Sequence, residues 1–213
     1  MSQFVDPILV IVVLLNFLVL GASHIRTMIN TVAGQGILLG VAMVLVHSEP
    51  SVRLMLLAGG SIVLKGVVFP RMLLHAMREV SIRREAQPHV GFIASLLLGA
   101  IGTGLAVVFA RTLPITKEHA TTLLVPASLS TVLAGFLVMA TRLKAITQVI
   151  GFLVLENGIF IFGLLLLEAM PFLVEVGVLL DLFVAIFVMG IIIHRINLAF
   201  ASVDTQDLSL LKE

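Results

Sequence analysis

The chain has 213 residues, 60% of them hydrophobic and 12% charged, with a mean hydropathy of +1.20. Soluble domains hold roughly 45–50% apolar residues, so this composition excludes a soluble globular domain and marks an integral membrane protein. The net charge of +1 implies neither nucleic acid nor an acidic partner, and the lack of cysteine excludes disulfides, thiolate-held iron–sulfur clusters and cysteine zinc sites within the chain.

A bilayer core takes about 20 mostly apolar residues per helix, and about seven such runs follow one another. The first, 7–23, lacks the basic flank of a secretory signal and is expected to be a retained span, with Asp6 as its cap and Pro7 at its first helical position. The second, 28–46, follows Arg26 and carries Gln35 near its centre. The third, 52–77, holds Lys65, then Pro70, Arg71 and His75. The fourth, 90–111, has no charge in its interior, and Gly99, Gly102 and Gly104 would let a neighbouring helix come close. The fifth, 120–141, contains Pro126 and Ser130; the sixth, 145–168, contains Glu156 and Asn157; the seventh, 172–196, contains Asp181, with Glu175 near its start. The runs are continuous rather than alternating, which predicts helices and not a barrel. The expected fold is an all-α, polytopic transmembrane helical bundle.

With seven spans, the N-terminus and the loops near 49, 115 and 170 share one side, with Arg53, Arg111 and Lys117. Arg26, Arg71, Arg78, Arg83, Arg84, Arg142, Lys144, Arg195 and Lys212 fall on the other. The positive-inside rule makes that basic face cytoplasmic, placing the N-terminus out and the C-terminus in. The organisation reads as an N-terminal three-helix group (1–80), a linker with the fourth span (81–116), a second three-helix group (117–200) and a cytoplasmic tail (201–213). The two groups would have the same orientation, and a parallel repeat would match Gln35 with Glu156 and Lys65 with Asp181.

Lys65, Glu156 and Asp181 fall near the centres of their runs. A charge there costs about 2.5–3.5 kcal/mol on insertion scales, so such residues face protein or water and pair with one another. Pairing Lys65 with either carboxylate lowers that cost, and burial moves their proton affinities towards values useful for proton exchange. The plainer reading is interhelical hydrogen bonding that only fixes packing, as expected of Asn16 and Ser130. Three ionisable residues at a common depth on three helices favour a proton relay. Asn157 and Gln35 are read as hydrogen-bond support, since an amide cannot titrate.

Arg71 and His75 lie four apart on one helix face, with His75 about 15 Å from Lys65 along the axis. They either start a path from mid-depth to the cytoplasm or simply snorkel to the interface. No His and carboxylate cluster has metal-ligand spacing, and no phosphate loop or nucleophile elbow is present. No catalytic or metal site is therefore expected in this chain.

The stretches TRLKAITQVIGFLVLENG and LVEVGVLLDLFVAIFVMG and the tail DTQDLSLLK resemble hydrogenase-4 component E, a membrane subunit of complex-I-like [NiFe] hydrogenase and formate hydrogenlyase assemblies. The E-N-G triplet, the L-V-E-x-G element, the Asp after it and the tail pattern from Asp204 to Lys212 occur in the family's order. The last three spans are also similar to the K subunit of respiratory complex I, with Glu156 and Asp181 in place of its two membrane glutamates. That subunit has a glycine two residues before its first glutamate, whereas Gly151 is five before Glu156; the carboxylate keeps its face but shifts in depth by almost a turn.

The resemblance implies a non-catalytic subunit in the inner (plasma) membrane of a prokaryote, part of an oxidoreductase complex. Its partners would be antiporter-like membrane subunits, a complex-I-like membrane anchor and a cytoplasmic hydrogenase-type redox module, besides lipid. Iron–sulfur clusters and a nickel–iron centre would reside in those partners, with no cofactor in this chain. Lys65, Glu156 and Asp181 would serve proton or sodium translocation, and Glu175, near the outer surface, would gate an exit or cap the last helix. Two competing readings are a purely structural assembly subunit and a free-standing secondary transporter with a mid-depth substrate site.

Overall fold

The computed structural model describes residues 2–46, 52–79, 90–113 and 123–166, and Gly190. Apart from short connections these are helical: α1 (Ser2–Gly21), α2 (Ile25–Val46), α3 (Val52–Val63), a π-helical segment (Leu64–Val68), α4 (Phe69–Glu79), α5 (Phe92–Thr112), α6 (Leu124–Thr141) and α7 (Ala145–Leu166). The segment from α3 to α4 is one unbroken rod, so the described residues contain six helices long and apolar enough to cross a membrane. The chain is a multi-pass membrane protein. The seventh expected span, with Glu175 and Asp181, lies outside the described residues.

One expectation at the N-terminus is corrected. Helix α1 begins at Ser2 and runs through Asp6 and Pro7, so Asp6 does not cap it. Its Oδ1 instead accepts the amide N–H of Leu123 at 3.0 Å, the residue that opens α6. The first N–H groups of a helix have no partner within it and carry partial positive charge. Asp6 therefore satisfies a donor at the start of another helix, a role that local sequence spacing does not reveal.

The bulge in the third span has a local cause. Pro70 has no N–H to offer the Gly66 carbonyl four residues earlier, and its ring crowds that carbonyl. The chain widens by a residue, and the Phe69 N–H bonds Leu64 O, five residues back. Such single-turn π segments recur at functional sites, and Lys65 sits within this one.

Helices α6 and α7 form the tightest pair, through glycines at the contact. A Cβ at Gly135 would stand 2.5 Å from the Leu155 nitrogen, and one at Gly158 would stand 2.6 Å from the Val132 nitrogen. Gly151 lies on the same side of α7 as Gly158, and its Cβ would come within 3.0 Å of the Gly135 carbonyl. Lipid tails give helices no hydrophobic reason to associate, so backbone approach at small residues supplies the packing instead. The glycines expected to do this in α5 matter less: Gly102 makes ordinary contact with Leu133, and Gly104 faces no atom within 4 Å. Only Gly99 is pressed, by Leu20 of α1. Helix α5 sits at the periphery against α1 and α6, with Ile93, Leu97, Ile101, Leu105 and Val108 exposed.

Two apolar clusters occupy the two ends of the bundle. One joins the ends of α1 and α6 to the starts of α2 and α7, with Phe69 and Leu73 of α4; the other joins the opposite ends of those helices to α3. Between them, α1, α2, the π segment, α6 and α7 each contribute buried polar residues at one level: Asn16, Gln35, Lys65, Thr131, Glu156 and Asn157.

A buried charged layer as the candidate functional site

Each side chain of this layer is placed by a feature of its own helix. Lys65 comes into the bundle because α2 presents Gly36 to it; a Cβ at Gly36 would fall on the Lys65 Cβ. Glu156 and Asn157 lie on α7 between Gly151 and Gly158, whose close approach to α6 fixes the rotation of the helix. Lys65 is 5% exposed and Glu156 4%.

The pair is close but loosely joined. Lys65 Nζ stands 3.9 Å from Glu156 Oε1, within reach of an ion pair and beyond a hydrogen bond. It donates to Asn157 Oδ1 at 3.3 Å and lies 5.0 Å from the centre of the Phe160 ring, a cation–π distance. Neither Glu156 carboxylate oxygen accepts a hydrogen bond among the described residues.

From Lys65 the hydrogen bonds continue in one sense across the bundle. Asn157 Nδ2 donates to Gln35 Oε1 at 3.4 Å, and Gln35 Nε2 donates to Asn16 Oδ1 at 2.8 Å and to the Val12 carbonyl at 3.3 Å. Asn16 Nδ2 donates to Thr131 Oγ1 at 2.9 Å, and that hydroxyl donates to the Ala127 carbonyl at 2.7 Å. The side-chain links of the string are long near the ion pair and short at Asn16 and Thr131. Buried amides satisfied in this way hold position well and carry no titrating proton. Proton chemistry in the described part of the layer thus rests on Lys65 and Glu156.

A cavity of about 10 Å³ adjoins the pair, bounded among the described residues by Lys65, Glu156 and Asn157 and by apolar side chains that include Ile29, Phe69, Leu73 and Leu153. That is about the smallest volume that holds one water. A single water there can span the 3.9 Å gap and pass a proton between nitrogen and carboxylate.

The structure brings together Lys65, Glu156, Asn157 and Gln35 of the residues singled out in the sequence. Arg71 and His75 are exposed on α4 and do not border the cavity, while Asp181 and Glu175 lie outside the described residues. Sequence reasoning treated Asn16 as packing, yet it is the central link of the string. The available signal was a lone Asn deep in an apolar run. Ser130 meets Thr103 at 2.8 Å and ties α5 to α6. Ser61, one turn before Lys65, buries a hydroxyl with no partner among the described residues.

Arg142, one of the residues that the sequence places on the basic cytoplasmic face, is 1% exposed. Its Nη2 donates to the Leu20 carbonyl at 2.5 Å, and its guanidinium lies 4.6 Å from the Phe92 ring centre. Burial pushes its pKa below the ordinary value, and the guanidinium stays charged from so high a start. Among the described residues, no three His, Cys, Asp or Glu side chains come together in a way that would hold a metal.

No family model matches the chain, and no solved structure matches it. A relative in Mycobacterium tuberculosis, "Uncharacterized protein Rv0085", is 34% identical over 205 residues, covering 94% of this chain and 92% of its own length. Identity at that level, end to end across the spans, is that of a shared membrane fold: the chain belongs to the same family as this mycobacterial protein.

Proposed function

We propose that this protein is a non-catalytic membrane-arm subunit of a complex-I-like, hydrogenase-type respiratory complex in a prokaryotic plasma membrane. In that role it contributes a step at which translocated protons or sodium ions are coupled to redox chemistry in partner subunits. The observation behind the reading is a lysine and a glutamate from different helices, 3.9 Å apart at the level of a buried polar layer. Both Glu156 carboxylate oxygens lack a donor among the described residues, which leaves the carboxylate able to take up a proton. The resemblance of the last third of the chain to hydrogenase-4 component E supplies the kind of complex, its nickel–iron and iron–sulfur partners, and seven spans with the C-terminus inside. Asp181, one span beyond Glu156, is the candidate next carrier in this scheme.

Affinity purification of the full chain from native membranes tests the assignment. Co-purification of an antiporter-like subunit and a hydrogenase-type module is expected; ion uptake by the chain alone in liposomes would instead support a secondary transporter. Glu156→Gln then separates coupling from scaffolding. The complex should assemble and lose redox-linked ion uptake, and full uptake in the assembled variant would leave a structural role.

A further inference from the structure

We propose that Glu156 exchanges its ion with the membrane face that carries the α1–α2 and α6–α7 corners, through the cavity beside it, and that the apolar side chains around this cavity act as its gate. The proposal rests on the reading of Lys65 and Glu156 as an ion-handling pair and adds the side from which the pair is reached. The cavity does not lie level with the pair. Its described lining includes Ile29 and Val32 of α2, Phe69 and Leu73 of α4, and Ile150 and Leu153 of α7. All six belong to the apolar cluster at the end of the bundle where the two corners lie. At about 1.5 Å per residue, Leu153 and Ile150 precede Glu156 by about 4.5 and 9 Å, and Leu73 follows Lys65 by about 12 Å. The void thus sits on the corner side of the pair.

The rod that carries Lys65 shows the same asymmetry in its charges. Arg71 lies six residues beyond Lys65, about 9 Å nearer the corner face, and is exposed on α4. In the other direction the first charged residue is Arg53, about 18 Å away. An exposed guanidinium at the depth of Arg71 draws water and headgroups towards it, so the apolar layer between water and the pair is thinner on the corner side. Phe69, Leu73, Ile150 and Leu153 are each no more than 5% exposed and close this layer at rest. A constriction of this kind passes ions when it wets and blocks them when it dries. The volume of about 10 Å³ holds a first water, at the point where a wetted path would end on Glu156. Pro70 also lines the cavity and has no N–H for its helix, so this wall yields more easily than a fully bonded turn.

The chain has no cysteine, so single cysteines report access directly. Native membrane vesicles of each orientation are treated with a charged, membrane-impermeant methanethiosulfonate, and modification is read by mass spectrometry. Ser23→Cys, in the exposed α1–α2 corner, and Val52→Cys, at the exposed start of α3 on the opposite side, mark the two faces. Leu153→Cys, whose shorter side chain leaves room for the reagent, should be modified from the Ser23 side only, and redox-linked ion uptake should then be lost. Val32→Cys, close to the native residue in size, gives the same reading where Leu153→Cys fails to assemble. Modification from the Val52 side, alone or together with the other, or from neither side, overturns the proposal. Modification from the Ser23 side with uptake unchanged overturns the cavity as the route of the ion. Failure of the underlying reading shows elsewhere, as full redox-linked uptake in Glu156→Gln.

Discussion

Arg142, at the corner between α6 and α7, and Lys65, midway along the α3 to α4 rod, are 1% and 5% exposed. Arg142 is anchored at one point: a 2.5 Å hydrogen bond ties Nη2 to a carbonyl in the last turn of α1, where the helix dipole is negative, and an aromatic ring covers the guanidinium, while Nε and Nη1 meet no partner among the described residues. The described contacts of Lys65, to Asn157, Glu156 and Phe160, are longer, and one of them is to a carboxylate. A short bond at a helix end fixes three helices relative to one another and gains nothing from moving. A cation held at 3.3–3.9 Å beside a carboxylate can change partner or give up a proton with little rearrangement. Burial alone therefore does not mark a functional charge; a carboxylate within reach of it is the more telling sign.

Substitutions can break this contrast in graded steps. The largest effect is expected for Lys65→Met, which leaves Glu156 buried without its cation and costs about 3–5 kcal/mol, measured by unfolding of the full chain in detergent. Adding Glu156→Gln should restore most of that stability while ion uptake stays lost, and a double-mutant cycle should give a coupling of about 0.5–3 kcal/mol. Arg142→Ala should cost about 2–5 kcal/mol through lost packing and the lost cap, with uptake per assembled complex unchanged; a specific loss of uptake would erase the distinction. Asn16→Ala leaves the Gln35 amide short of an acceptor and should cost about 1–3 kcal/mol, slowing uptake without abolishing it. Phe160→Leu, which removes only the ring facing Lys65, should cost about 0.5–1 kcal/mol, and a larger loss would mean that the ring contact grips Lys65 as firmly as Arg142 is gripped.

How much of this was legible in the sequence differs from element to element. The limits of α2, α5 and α6 follow from apolar length alone, and each falls within a few residues of expectation. Lys65 and Glu156 stand out because a charge in an apolar run has few explanations. Other features depend on partners that spacing cannot name. Asn16 reads as a packing residue until Gln35 and Thr131 are seen on either side of it. Arg142 reads as a loop cation because its distance from Leu20, 122 residues away, is fixed only by the fold. Pro70 announces a disturbed helix, but whether the result is a kink or a π segment depends on how α2 fits at Gly36. The glycines of α6 and α7 are no denser than those of α5, and only the partner helix separates the used from the unused.

The two apolar clusters above and below the polar layer have an electrical consequence. Dry packing on both sides leaves the membrane potential to fall across them, with the layer part-way down the drop. A charge crossing the whole membrane gains about 2.3 kcal/mol per 100 mV, so one reaching mid-depth gains roughly half of that, about a sevenfold change in occupancy. If Glu156 takes up an ion as proposed, that step would be voltage-dependent, and its rate should respond to membrane potential as well as to pH.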